Sequence, residues 1–324
     1  MIGKCNKTRI KMQLSDYDGF FFQVIKDGSF ETIGNYISSP GMPYLSYAEN
    51  KAYVRRACDK EDISCLICTK ELSAMDELKA SDKGIAIADN PRIAFNRFYN
   101  WLFSQKKCEP KIVKTDLIYA REYKKSQIGE GTRIHDTAVI SENGVVIGAN
   151  CSIEEYVVIR EGVSIGDNVT IRTGAVIGVP SNIVVRDGSG QFPILQLGEV
   201  VIHNNVVVGC HVHISRGSFP YEYTEIGENT TIDNNTEIAH NVKIGRNCII
   251  TGQTQVCGNS ILEDNTRLNP MAIVSNRIHV SEGCTIDIGS VVVNNLKKNE
   301  RVAGNFAIPH DKFLLWHRKK LRKQ

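Results

Sequence analysis

Among the eight histidines of the 324-residue chain, the one whose setting suits chemistry is His240, in Ile238-Ala-His-Asn-Val242. It stands two residues after an aliphatic anchor, at or beside a bend. A neutral imidazole there can take a proton from an attacking amine or alcohol, a role worth about 10² to 10⁴ in rate. Backbone N–H groups on the same edge could hold the oxyanion that forms. His203, His211 and His213 compete with it, and His211 with His213 has the spacing of a metal pair. No Cys, Asp or Glu is arranged with them in a ligand pattern, so no metal is expected. Cys65 and Cys68 form a CxxC inside the apolar run Ile63–Cys68, which reads as a strand. Residues three apart on a strand face opposite ways, which argues against a metal or redox pair. Phosphate-loop, dinucleotide and nucleophile-elbow motifs are absent.

The element that must position His240 is a repeat. From residue 226 to 292 an aliphatic side chain returns at every sixth position: Ile226, Ile232, Ile238, Ile244, Ile250, Val256, Leu262, Leu268, Val274, Val280, Ile286 and Val292. Helices repeat at 3.6 residues and strands at two, so a strict six selects a solenoid of hexapeptides, a triangular parallel β-helix. Gly227, Asn229, Asn235, Gly245, Asn247, Asp264 and Asn265 supply the sharp bends. The period also runs through Ile128, Ile134 and Ile140. After a slip of one residue it resumes from Ile147 to Ile177, and it returns at Ile202, Val208 and Ile214. These 24 anchors, three to a coil, make about eight coils. Segments 178–201 and 215–225 break the period and must leave the coil as loops, which in repeat arrays commonly build binding sites. A regular solenoid offers no concave pocket of its own. Ligands are therefore expected between neighbouring subunits, and a homotrimer is the expected working unit.

Residues 1–115 lack the period and read as a small α/β domain. Its strands are expected at Phe20–Ile25, Ile63–Cys68 and Gly84–Ala88, and a helix capped by Asn90 over Pro91–Gln105. The solenoid is assigned to 116–296, and 297–324 to a short basic C-terminal helix or tail. That tail carries nine Lys or Arg against two acids, which leaves the remainder of the chain at −4 within a net charge of +3. Its run Arg318-Lys-Lys-Leu-Arg-Lys323 suits phosphate or an acidic protein, or a solvated tail. No nucleic-acid motif accompanies it. Ten scattered cysteines, a polar N-terminus and the lack of a bilayer-length apolar stretch favour a reduced, cytoplasmic protein with no integral membrane segment.

Taken together, these motifs resemble the left-handed β-helix acyltransferases, and most closely the UDP-3-O-acylglucosamine N-acyltransferases of lipid A biosynthesis. The matching segments are Ile232-Asp-Asn234 with Ile238-Ala-His-Asn241, Ile214-Ser-Arg-Gly217, Tyr47-Ala-Glu-Asn-Lys-Ala-Tyr53 and Asn90-Pro91. The resemblance implies that His240 is the general base and that Tyr47, Asn50 and Tyr53 hold a pyrimidine base. It implies that Asp233 and Asn241 line the substrate side; Arg277 and, in the basic tail, Arg318 are the expected donor contacts. Ser215, Ile177–Asn182 and Arg277 depart from the family pattern on the parts that would meet sugar and donor.

The expected activity is N-acyl transfer, and the resemblance implies a 3-hydroxyacyl group. The donor would be an acyl-CoA or acyl-carrier-protein thioester, the acceptor the amine of a dTDP- or UDP-linked amino sugar used in surface glycans, and no cofactor would be permanently bound. The alternatives are the lipid A enzyme itself and a non-catalytic binding scaffold. A carbonic-anhydrase-like solenoid would need a three-His metal site.

Overall fold

The computed structural model describes residues 11–104, 124–188, 190–304, 307, 309–312 and 314–315. The hexapeptide anchors do what their spacing predicts. They lie on short strands stacked coil upon coil in three parallel sheets of eight, eight and nine strands, a left-handed parallel β-helix. Register is eighteen residues per coil, as in Ile232↔Ile250↔Leu268↔Ile286. The twelve anchors from Ile226 to Val292 are at most 4% exposed, and burying each aliphatic side chain contributes roughly 1.5–3 kcal/mol. Ile128, the first rung of its face, is 51% exposed.

Each sharp bend needs one residue in the left-handed backbone region, where Asn pays less than other side chains. One corner column is almost uniformly Asn: Asn150, Asn168, Asn205, Asn229, Asn247 and Asn265 all have φ of 55–60°. A second column carries Tyr156, His211, Asn235, Gln253 and Met271 at φ of 55–62°. Gly227 answers a different need. A Cβ there would lie 2.4 Å from the backbone of Gly245 in the next coil. The cysteines also find their reason. Cys151, Cys248 and Cys284 occupy a buried column just before a strand, and each Sγ donates to a carbonyl of the following corner: Gly166, Glu263 and Lys297. Thr230 does the same with its hydroxyl, to Gly245.

Two compact units divide the chain, and not at the expected boundaries. One takes Met1–Lys124 together with Pro180–Glu199 and Arg216–Tyr223; the other takes Lys125–Val179, Val200–Ser215 and Thr224–Gln324. Both period-breaking segments thus leave the coil, and most of each belongs with the N-terminal unit. The solenoid also runs past 296, because Arg301–Val302 pairs with Thr285–Ile286. Residues 310–312 and 314–315 are helical, while Arg318 lies outside the described residues.

The first unit is built on a five-stranded sheet in the order Gln23–Lys26, Gly84–Ile87, Ile63–Cys68, Tyr44–Tyr47, Thr32–Ile33, the first strand antiparallel to the rest. The expected strand Phe20–Ile25 begins only at Gln23. Gly19 (φ 78°) turns the chain, and Asp18 accepts the Val24 N–H at 2.6 Å. The helix Pro91–Ser104 starts as read, with the Asn90 carboxamide accepting the Ile93 N–H at 3.0 Å. Phe95, Phe98, Tyr99 and Leu102 form its buried stripe, and Val185, Ile194 and Phe219 from the two excursions complete that core. Cys65 packs in this core and Cys68 in the one across the sheet. Burial pushes both thiols up to about 12.

Candidate active site

His240 occupies the corner between the strands Glu237–Ile238 and Lys243–Ile244. Asn241 makes that corner with φ of 60°; its N–H donates to Thr224 Oγ1 (3.0 Å) and its side-chain amide to Asn259 Oδ1 (3.1 Å). The His240 carbonyl accepts from Asn259 N–H at 3.0 Å. With its backbone so fixed, the half-buried imidazole lies against Gly258, eighteen residues on. A Cβ at Gly258 would stand 2.5 Å from Nε2, 2.7 Å from Cε1 and 3.0 Å from Cδ2. Arg277 takes the corresponding bend one coil further, at φ 62°, its N–H donating to the Gly258 carbonyl (3.1 Å). Burial lowers the His240 pKa, and the Arg277 charge adds to the effect. The ring is therefore neutral near pH 7 and able to accept a proton.

The amides of Ala239, Asn241, Cys257 and Asn259 are committed to Val256 O, Thr224 Oγ1, Val274 O and His240 O. They are not the oxyanion donors that an edge of amides suggested. Gly258, which lies against the imidazole, carries an amide outside these four. Sequence reading missed this glycine, although adding one coil of eighteen residues to 240 finds it.

The corner thus brings together His240, Asn241 and Arg277, but not Asp233. Asp233 is exposed at the bend preceding Glu237–Ile238, so it and His240 stand at opposite ends of one face; its Oδ1 accepts the Asn234 N–H at 2.8 Å. Ser215 is fully buried, its hydroxyl without a hydrogen-bond partner among the described residues, and it faces Val179 across a register shift at Gly178 (φ 83°). The segment expected to meet the sugar is here interior. His211 packs its ring over Gly174, with Nδ1 2.6 Å from where a Cβ would be. His203 pairs with Glu225 at 2.8 Å. No group of three or more His, Cys, Asp or Glu side chains is gathered for a metal among the described residues.

The solenoid does carry a concavity of its own, against expectation. A groove of about 730 Å³ opens where Gly227 and Gly245 lack side chains between long charged ones, and His203, Glu225, Lys243, Arg246, Glu263 and Asp264 line it. His240 is not among its lining residues. Its charges are paired along the coils, Lys243 with Glu225 (3.6 Å) and Arg246 with Asp264 (2.7 Å).

In the first unit, Tyr47 leans on Phe95 with ring centroids 4.8 Å apart. Asn50 caps the helix Lys51–Asp59, its Oδ1 accepting the Tyr53 N–H at 3.0 Å. Tyr53 stacks on Tyr36.

A family profile described as bacterial transferase hexapeptide (six repeats) matches residues 144–178 and 223–258. The chain is 33% identical over 140 residues to the UDP-3-O-acylglucosamine N-acyltransferase of Caulobacter sp. (strain K31), a match spanning 43% of this chain and 41% of that relative. It is 28% identical over 284 residues to the protein of the same name from Campylobacter lari, covering 85% of this chain and 86% of the relative. Among solved structures, an Arabidopsis UDP-N-acetylglucosamine acyltransferase is 27% identical with a TM-score of 0.43, over 55% of this chain and 67% of its own. No described helix is long and apolar enough to cross a membrane.

Proposed function

We propose that this chain, a left-handed β-helix protein of bacterial transferase hexapeptide repeats, is an N-acyltransferase that acylates the amine of a nucleotide-linked sugar. The observation that carries this reading is an imidazole held by its backbone on a solenoid corner and fitted against Gly258, where burial lowers its pKa. The sugar nitrogen attacks the carbonyl carbon of an acyl thioester, and His240 takes the proton the nitrogen sheds. The Gly258 N–H supports the oxyanion of the tetrahedral intermediate. As that intermediate collapses, the C–S bond breaks and the proton passes from His240 to the departing thiolate. The donor is acyl-CoA or acyl carrier protein, and Arg277, exposed beside the imidazole, supplies charge for it. The acting unit is a homotrimer in the cytoplasm.

The names carried by the Caulobacter and Campylobacter relatives favour UDP-3-O-acylglucosamine as acceptor. A dTDP-linked amino sugar is the second reading, favoured by the interior position of Ser215, which changes the sugar-facing segment. Offering the full-length protein both acceptor classes with acyl-CoA and with acyl carrier protein, and following amide formation by mass spectrometry, separates them. Amide on the UDP sugar alone selects the first, and amide on the dTDP sugar alone the second. No amide from any pairing overturns acyl transfer.

A further inference from the structure

The N-terminal unit contains a second aromatic arrangement. Tyr36 and Tyr53 lie face to face, ring centroids 4.5 Å apart and planes 22° from parallel. The Arg56 guanidinium sits 5.8 Å from both centroids. Tyr53 and Arg56 share one side of the helix Lys51–Asp59, three residues apart. Tyr36 comes from the loop after Ile33, and the spacing of its ring on Tyr53 is that of a stacked planar ligand.

That loop is held at its backbone. Lys60 Nζ reaches the carbonyls of Tyr36 and Ser38, and the Tyr44 hydroxyl donates to the carbonyls of Asn35 (3.3 Å) and Ser38 (3.0 Å). Ser38 Oγ donates to Glu222 Oε1 at 2.7 Å, and the Tyr221 hydroxyl to the Ile33 carbonyl at 2.6 Å. Sandwiching a base between the rings would need them about 7 Å apart, two stacking distances. A backbone tied at residues 33, 35, 36 and 38 resists that retreat.

From this geometry we infer that Tyr36 is a further determinant of nucleotide affinity: its ring holds the place on Tyr53 that a pyrimidine base takes, and the base must turn it out to bind. The inference rests on the reading that Tyr53 stacks the base. When the Tyr36 ring leaves, the Arg56 guanidinium, 5.8 Å from both rings, turns from them to the anionic diphosphate.

The test is isothermal titration of the full-length protein with UDP, dTDP and uridine. Tyr36→Ala removes the competing ring and tightens UDP and dTDP by roughly three- to tenfold. Tyr36→Leu, which keeps bulk without a stacking face, tightens them as well and guards against a folding defect in the alanine variant. Tyr36→Phe keeps the stack and binds as the parent does. Arg56→Met weakens UDP more than uridine. Unchanged or weaker binding in both Tyr36→Ala and Tyr36→Leu overturns the inference, since a backing or sandwiching ring would give that sign. A Tyr53→Ala variant that binds nucleotide as the parent does overturns instead the base-stacking reading beneath it.

Discussion

Replacing Gly258 by Ala probes the chemistry with a single methyl group. Its carbon would meet His240 Nε2 at 2.5 Å, where ordinary contact begins near 3.4 Å, so the overlap is about 0.9 Å. Gly258 cannot give way, because its carbonyl is tied to Arg277 N–H, and the His240 backbone is tied through Asn259. The imidazole must therefore swing by about 1 Å, a displacement that can cost on the order of a hundredfold in rate. Gly252→Ala is the control: its Cβ would meet nothing nearer than 3.3 Å. The assay is kcat for amide formation at saturating acceptor, beside a thermal melt of each variant. The expected result is a drop of about a hundredfold for Gly258→Ala with the melting temperature nearly kept, and parent-like turnover for Gly252→Ala. Parent-like turnover in Gly258→Ala would refute the placement of the ring.

His240→Ala is expected to lose at least about a hundredfold in turnover, and near-normal turnover would remove it as the base. Because burial and then Arg277 hold the His240 pKa below the ordinary imidazole value, activity is full at neutral pH and falls as pH drops through that lowered pKa. Arg277→Met removes the second cause and should move the acid limb of the kcat profile upward; a stationary limb would refute the coupling. Met271, 57% exposed at φ 62°, occupies a bend that its neighbouring corner column fills with Asn. Met271→Asn should stabilise the protein to urea by about 1 kcal/mol, and no gain would contradict the strain argument. Ile250→Ala, in the middle of the stack and fully buried, should cost about 2–5 kcal/mol, read from the same denaturation curves.

The solenoid was legible because its period is a geometric necessity: every sixth residue must be aliphatic to stack, and Ile226 to Val292 obey without a miss. The corner position of His240 followed from the same count. What lay beyond that count depends on long-range partners. The period could mark 178–201 and 215–225 as departures from the coil, but Phe219 and Ile194 join the aromatic core of the first unit through contacts no local pattern announces. Asn50 reads equally well as a ligand contact and as a helix cap, and the structure finds its oxygen spent on the cap. Tyr36 carries no motif, since its meaning lies in the ring it meets seventeen residues later. The family resemblance set Asp233 beside His240 on the substrate side, whereas seven residues on a triangular coil carry the chain across a whole face.

That the first unit borrows Val185, Ile194 and Phe219 has a consequence for biosynthesis. A ribosome that has delivered residue 124 has not yet delivered what closes the aromatic interior, and about a hundred more residues must follow, on the order of ten seconds at ordinary elongation rates. During that interval Phe95, Phe98 and Tyr99 stay accessible to chaperones and to other nascent chains, and a fragment truncated at 124 keeps them so permanently. Expression of the amino-terminal portion for ligand work therefore requires the whole polypeptide.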